Sequence, residues 1–363
     1  MEYKILVINP GSTSTKLSLF LNEKVLFNYD VFHDTEELKR FEHINDQLTY
    51  RMKVIDDFIA EKNLDLTNLA AIACRGGASY SVKSGTYEVD EKLIEDTKAC
   101  KGELYHSSML GVQMGKLVSQ KYGGRLLMSD PTIVDEYLDI ARITGIKGIY
   151  RKAVSHVLNQ KAVGRKYAKD HNLKYEDLNL IIAHIDGGIT INAHQKGQMI
   201  DGFDGGGGDG PLTPTRMGSM AISDVINYLW DKPESEMKKL ISCAGGFANY
   251  FHTANADYVH ELLTKGDKTA TLVWKAMIYQ ISKCIGAMAV VLKGDVDAII
   301  LTGGLCRFDD VVEIIKDNTE WIAQTFVYPG EYEQEALALN ALAVLKGEMT
   351  AQKYSGQAVF EGI

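Results

Sequence analysis

Ile5-Leu-Val-Ile-Asn9-Pro-Gly11-Ser12-Thr13-Ser14-Thr15-Lys16-Leu17-Ser18-Leu19-Phe20 decides the fold. Its first four residues are a continuous apolar run, the mark of a strand buried on both faces. Asn9 to Lys16 is a tight turn dense in hydroxyls. Leu17 to Phe20 then alternates, which predicts a second strand that is half exposed.

The pattern returns midway along the chain. Leu180 to Ile185 leads into Asp186-Gly187-Gly188, after which Ile189, Ile191 and Ala193 alternate with Thr190 and Asn192. A further run, Ala298 to Leu301, ends in Thr302-Gly303-Gly304. Two strand–glycine turn–strand units half a chain apart predict an internal duplication: an α/β protein of two similar domains facing each other, joined near residue 150. Helical spacing is present at His156 to Asp170, Ile222 to Trp230 and Ala336 to Leu345, the last stopped by Gly347. The longest apolar stretch, Leu272 to Leu292, carries Lys275, Gln280 and Lys283. Val273, Met277, Ile281, Cys284, Met288 and Val291 recur at helical spacing in it, so a buried amphipathic helix stopped by Gly294 is expected rather than a membrane span.

Composition supports two globular domains. The 363 residues are 45% hydrophobic and 24% charged, which excludes a disordered or membrane-embedded chain. A net charge of −9 argues against nucleic-acid or anionic-membrane partners, so an anionic ligand must be held by local donors. The five cysteines are far apart and form no CxxC pair; free thiols suggest a reducing cytoplasm. No targeting segment is expected, because Asn9 and Pro10 interrupt the first apolar run.

The turn from Asn9 to Lys16 offers backbone N–H groups, hydroxyls and one cation to a polyanion. It lacks the GxxxxGK[ST] spacing of a Walker A loop, and a strand follows it rather than a helix. Alone it reads equally well as a solvated hairpin. With Asp186-Gly187-Gly188 supplying an equivalent turn in the other half, two hairpins are positioned to clamp a triphosphate. The Gly202 to Gly210 stretch reads by composition as a flexible linker.

These motifs, in this order, resemble the acetate and butyrate kinases of the sugar kinase, actin and chaperone ATPase superfamily, over essentially the whole chain. Asn9 to Lys16 resembles the first phosphate motif, His184-Ile-Asp186-Gly187-Gly188 the second, and Ile299 to Gly304 the adenosine motif. Arg75-Gly-Gly followed by Gly85-Thr-Tyr-Glu-Val resembles the butyrate and branched-chain fatty acid kinase branch, where acetate kinases have His-Gly-Gly. The resemblance implies two ribonuclease-H-like domains, the duplicated actin-like ATPase fold, with the active site in the cleft between them. The first would span 1–150, rejoined by a C-terminal helix at about 337–363, and the second 151–336.

The resemblance also implies roles for single residues. Asn9, Gly11, Ser12, Thr13, Ser14, Lys16, Asp186, Gly187, Gly188, Gly303 and Gly304 would hold ATP or ADP, and Gly245 and Gly246 would line the adenine pocket. Read alone, Gly245-Gly246 is as well explained as a helix-ending turn. Arg216, in Thr-Arg-Met-Gly218, would face the transferring phosphoryl group, delivered by the loop at Gly205 to Gly208; by itself it reads as a surface arginine. Arg75 would take the place of the substrate-side arginine. Asp130 would lie near the phosphoryl group and its Mg²⁺, although Asp before Pro also suits a turn. Glu335 would help hold Mg²⁺, although an acidic residue at a helix N-terminus is favoured by the dipole alone. His106, His156 and His184 match histidines of the family's site; each alone reads as a structural hydrogen-bonder.

The implied reaction is reversible transfer of the ATP γ-phosphoryl group to butyrate or a similar short-chain carboxylate, giving an acyl phosphate, with Mg²⁺ as cofactor and a homodimer or higher oligomer as the assembly. An acetate or propionate kinase is the neighbouring alternative. An actin-like or chaperone-like conformational ATPase is the distant one, opposed by Arg75-Gly-Gly and Thr-Arg216-Met-Gly.

Overall fold

Ile5 to Ile8 form the middle of strand β1 (Lys4–Pro10), and all four are fully buried. In the computed structural model, which describes residues 1–12, 14–102 and 105–363 apart from the side chains of Thr35 and Lys39, β1 lies at the centre of a six-stranded sheet. The others are β2 (Ser14–Leu21), β3 (Lys24–Phe32), β4 (Ala71–Cys74), β5 (Thr86–Glu88) and β6 (Arg125–Ser129), in the order β3-β2-β1-β4-β6-β5. β3, β2 and β1 are antiparallel neighbours, whereas β1, β4 and β6 run parallel.

A second sheet repeats this plan. It contains β7 (Asn179–Ile185), β8 (Ile189–Gln195), β9 (Gln198–Gly202), β10 (Ala298–Gly303) and β11 (Thr325–Pro329), in the order β11-β10-β7-β8-β9. β9, β8 and β7 are antiparallel, and β7, β10 and β11 are parallel. Strand for strand, β3-β2-β1-β4-β6 has the same order and sense as β9-β8-β7-β10-β11. The duplication read from two glycine turns is therefore a duplication of sheets, as the actin-like ATPase fold requires.

The chain divides into unit 1, Met1–Asp135 with Tyr332–Glu361, and unit 2, Glu136–Glu331 with Gly362–Ile363. Unit 1 stops at Asp135 rather than near residue 150, because the following residues are tied into unit 2. Glu136 accepts a hydrogen bond from the Met199 N–H and pairs with buried Lys161, and the Leu138 N–H donates to the Ile200 carbonyl. The C-terminal helix is Glu333–Lys346, closed by Gly347 in the left-handed conformation. Beyond it the chain is not helical: Gln352 bridges Tyr87, and the Tyr354 hydroxyl donates to Asp96.

β2 is more buried than its alternation suggests. Leu17 and Leu19 join the core cluster that includes Ile55 and Ile59 of the helix Gln47–Glu61, and Ser18 accepts from Gln334 of the C-terminal helix. Apolar residues cover one face and a helix with a matching polar group covers the other. In unit 2 the helix Lys268–Val291 buries Val273, Trp274, Met277, Ile278, Ile281 and Ile285 against β7 and β8. Among the described residues no helix is long and apolar enough to cross a membrane.

Candidate active site

In parallel α/β sheets ligand-binding groups collect at the carboxyl ends of the strands. In unit 1, Asn9, Arg75 and Asp130 stand at the ends of β1, β4 and β6, three adjacent parallel strands. Asn9 Nδ2 donates to Glu333 Oε2 at 2.8 Å, and Arg75 Nη1 donates to the same oxygen at 2.8 Å. The side chain of Glu333 is 2% exposed and that of Arg75 12%, so this is a largely desolvated ion pair.

Glu333 is buried, whereas Glu335, the acid that the resemblance assigns to Mg²⁺, is exposed. The reason is helical phase: the helix begins at Glu333, and residues two apart on a helix point to opposite sides. Asp130 is buried with φ of 38°, and its Oδ1 accepts from the Gly85 N–H at 2.7 Å. The Nδ1 of His106 accepts from the Ser108 N–H, so this ring caps the short turn Ser107–Met109.

Beside these residues lies the hydroxyl-rich turn, closed by a hydrogen bond from the Gly11 N–H to the Ser14 carbonyl. Thr13 lies outside the described residues. Lys16 is the cross-strand neighbour of Asn9, Ser12 is exposed and Ser14 half-buried. Arg51, from the helix Gln47–Glu61, is fully buried and donates to the carbonyls of Gly11 (2.9 Å), Ser12 (2.8 Å) and Ser14 (3.4 Å). Burial lowers its pKa to about 10. Arg51 thereby occupies the carbonyl oxygens of Gly11, Ser12 and Ser14, the groups of the turn that would repel an anion. Sequence reading missed Arg51, yet the signal was present: it stands four and eight residues before the buried Ile55 and Ile59, on the helix's apolar stripe.

In unit 2 the equivalent strand ends carry Asp186, Gly303 and Glu331. Asp186 Oδ1 accepts from the Gly187 N–H and Oδ2 from the Gly304 N–H, both at 2.7 Å, so one carboxylate fastens the β7–β8 turn to the end of β10. His184, near the end of β7, is buried and stacks on His156, with centroids 3.9 Å apart and planes 15° from parallel. His184, Asp186 and Glu331 also bring one ligand atom each within 4.8 Å of one another, a donor set able to surround a divalent ion.

Arg216 reaches the same turn. The Thr213 and Thr215 hydroxyls both donate to the Gly187 carbonyl at 2.8 Å, which fixes the Thr213–Arg216 turn to the β7–β8 turn. The guanidinium lies so close to Gly188 that a Cβ there would stand 2.9 Å from Cζ. Its Nε is buried with no hydrogen-bond partner. Burial lowers the Arg216 pKa, opposed by Asp204, whose own carboxyl is raised by burial. A half-buried cation without a hydrogen bond at Nε is a candidate for pairing with an anion.

Gly245 and Gly246 support this turn from behind. The Gly245 N–H donates to the Thr215 carbonyl, and a Cβ on Gly246 would lie 1.6 Å from the Thr213 carbonyl oxygen. The loop at Gly205 to Gly208, read as a linker by composition, is fitted against Arg216: a Cβ on Gly205 would be 3.0 Å from Nη1.

Comparison with known proteins finds the acetokinase family, whose model matches residues 143–320. Two proteins described as probable butyrate kinase, from Clostridium botulinum strains Eklund 17B / Type B and Alaska E43 / Type E3, are each 43% identical over 357 residues, covering 98% of this chain and 100% of the relative. Among solved structures, an acetate kinase of Porphyromonas gingivalis superposes with a TM-score of 0.77 at 17% identity, covering 94% of this chain and 100% of that one. A propionate kinase of Francisella tularensis subsp. tularensis SCHU S4 gives 0.75 at 17% identity, covering 93% and 98%. These two structures share the fold.

Proposed function

The chain belongs to the acetokinase family, and from that premise we propose that it is a butyrate kinase: it transfers the ATP γ-phosphoryl group to butyrate or a close short-chain carboxylate, reversibly, to give the acyl phosphate. The observation that carries the reading is Arg216, a desolvated guanidinium with an unpartnered Nε, held by two threonines against a glycine turn at the end of β7.

A carboxylate is ionised at neutral pH, so the nucleophile exists without a general base. The chemistry reduces to alignment and charge neutralisation. In this reading Arg75, oriented by Glu333 and Asn9, binds the acyl carboxylate. The Gly11–Ser14 turn, with Lys16, binds nucleotide phosphates. Gly187 and Gly188 also bind them, and Gly303 and Gly304 lie against the nucleoside. Arg216 meets the charge that gathers on the transferring group, and His184 and His156 line its path as hydrogen-bond donors.

Mg²⁺ is a proposed cofactor. It prefers carboxylate oxygens and water, and the buried Asp130, fixed by the Gly85 N–H, suits such a shell, with Glu335, which is exposed, reaching it only through water. Asp130 would hold it; when bound, Mg²⁺ supplies charge neutralisation for the phosphates. A homodimer and a cytoplasmic location complete the proposal, the latter supported by five free cysteines.

The test is acyl phosphate formation, trapped as the hydroxamate, with ATP, Mg²⁺ and straight or branched C2 to C5 carboxylates. The expected result is the highest kcat/KM with butyrate or isobutyrate. A preference for acetate or propionate would move the protein to that branch, and ATP hydrolysis indifferent to carboxylate would remove the kinase reading altogether.

A further inference from the structure

Behind the stacked histidines of unit 2 lies a chain of buried hydrogen bonds whose polarity can be read from one end. The Thr302 hydroxyl is 3.2 Å from the Gly330 carbonyl, which can only accept, so its single hydrogen is committed there. Thr302 therefore turns a lone pair towards Asn159, and Asn159 Nδ2 donates to it at 3.2 Å. The second hydrogen of the same Nδ2 points at His184 Nδ1, 2.9 Å away. A donor facing Nδ1 requires a lone pair on that nitrogen, and the ring's proton is then on Nε2.

His156 is held in the same way. Its Nδ1 is 2.9 Å from the Thr190 hydroxyl, which itself accepts from Gln160 Nε2 at 3.0 Å, so the Thr190 hydrogen is available for His156. Gln160 is oriented in turn by His194, whose Nε2 faces Gln160 Oε1 at 2.9 Å and whose Nδ1 faces the Tyr175 hydroxyl at 2.7 Å.

We infer that Asn159 is a positioning residue that holds His184 as the neutral Nε2–H tautomer, so that the ring offers a hydrogen-bond donor to the transferring phosphoryl group. The role assigned to that donor rests on the kinase reading above; the tautomer does not. Two neutral rings are also compatible with stacking at 3.9 Å, where two imidazolium ions would repel. The same polarity takes His184 out of the cluster with Asp186 and Glu331 as a ligand. A metal-bound histidine directs its second ring nitrogen as a donor to a carboxylate or carbonyl, and here that nitrogen faces an amide donor.

Long-range proton–nitrogen NMR of the intact protein reads the tautomer directly, with the His184 signals among the nine histidines assigned by their loss in His184→Gln. The expected result is an unprotonated Nδ1 and a protonated Nε2 in the wild type. Asn159→Asp places a carboxylate of the same shape opposite Nδ1 and should put the proton there. In that variant kcat should fall about a hundredfold, as when a single transition-state donor is lost or a histidine is held in the wrong tautomer, with the KM for ATP changed less than about threefold. A protonated Nδ1 in the wild type, or an unmoved proton in folded Asn159→Asp, overturns the inference. So does a moved proton with undiminished kcat. A wild type without carboxylate kinase activity but with the stated tautomer would refute the kinase reading and leave the role of Asn159 towards the ring standing.

Discussion

In unit 1 the guanidinium of Arg75 donates to Glu333 at 2.8 Å, whereas in unit 2 the Nε of Arg216 is buried with no hydrogen-bond partner. The two sheets share strand order, so the contrast does not come from topology. It comes from what the returning chain brings. The C-terminal helix carries Glu333 to the end of β4, while the turn that carries Arg216 brings hydroxyls that are spent on the Gly187 carbonyl. A paired arginine contributes to the stability of its unit and is held in one orientation. One without that pairing gains most when an anion arrives, and this is the difference expected between a substrate-orienting arginine and a transition-state one, the roles proposed for Arg75 and Arg216.

Substitution tests the contrast most sharply at Arg216. Arg216→Ala should lower kcat about a thousandfold or more, by analogy with arginine fingers, and leave Tm unchanged or slightly raised, because a desolvated charge is removed. Hydroxamate formation and thermal unfolding together check it. A fall of several degrees in Tm would mean that Arg216 is bonded as Arg75 is, and the contrast would collapse.

Glu333→Gln tests the other arm. It keeps shape and the contact with Asn9 but leaves the Arg75 charge unpaired in a nearly dry site, which should cost about 3 kcal/mol of stability in urea unfolding. Replacing both partners, Arg75→Met with Glu333→Leu, should recover most of that loss of stability while abolishing activity, because the proposed carboxylate-binding arginine is gone. Stability that is indifferent to Glu333→Gln would remove the pairing argument.

A smaller effect comes from His33, also in unit 1, whose Nε2 is 2.8 Å from the Thr15 hydroxyl beside the Gly11–Ser14 turn. Burial, and then the charge of Arg51, lower its pKa to about 4 from 6.5. With the folded pKa below the unfolded one, the unfolded chain takes the proton first. Stability is thus complete above about pH 6.5 and is lost as pH falls towards 4. At pH 5 this single group should account for about 2 kcal/mol. His33→Gln cannot titrate, so its urea midpoint should fall less between pH 7 and 5 than that of the wild type. Parallel pH dependences would show that His33 is not the sensor. His194 in unit 2, also pushed well below its ordinary value by burial, is present in both proteins and cancels from the difference.

What could be read in the sequence follows from the range over which each signal acts. The glycine turns after β1 and β7 are local: an apolar run, a turn and a second run lie within twenty residues, and both hairpins are where the pattern puts them. The paired sheets follow from those hairpins. The inward acid at the start of the last helix was not legible, because in Glu333-Gln-Glu335 both acids suit a helix N-terminus and only the helix's rotation against β1 chooses between them. Asn159 carried no signal either: it is one amide among helical residues, and its meaning depends on Thr302, 143 residues away. The burial of β2 is not legible for the same reason, since the helix that covers it is supplied by the far end of the chain.

Arg51 is the intermediate case between Arg75 and Arg216, and it yields the smallest predicted effect. Its charge is fully buried, yet its donors are spent on the carbonyls of Gly11, Ser12 and Ser14 and on Gln47 Oε1. No carboxylate neutralises it among the partners of the described residues, so its field is available to the anion that the turn is proposed to bind. Arg51→Lys keeps the charge and loses the planar fork, because one ammonium cannot reach three carbonyls and a side-chain amide at once. If the arginine acts by shaping the turn, losing about one charge-assisted hydrogen bond, roughly 1.4 kcal/mol, should raise the KM for ATP about tenfold while kcat holds within about threefold. If it acts mainly through charge, Arg51→Lys should bind ATP like the wild type, and only Arg51→Met, with a folded state verified by circular dichroism, should weaken it. The KM ratio of the two variants therefore decides whether a buried arginine in unit 1 serves geometry, as proposed for Arg75 through Glu333, or bare charge, as proposed for Arg216.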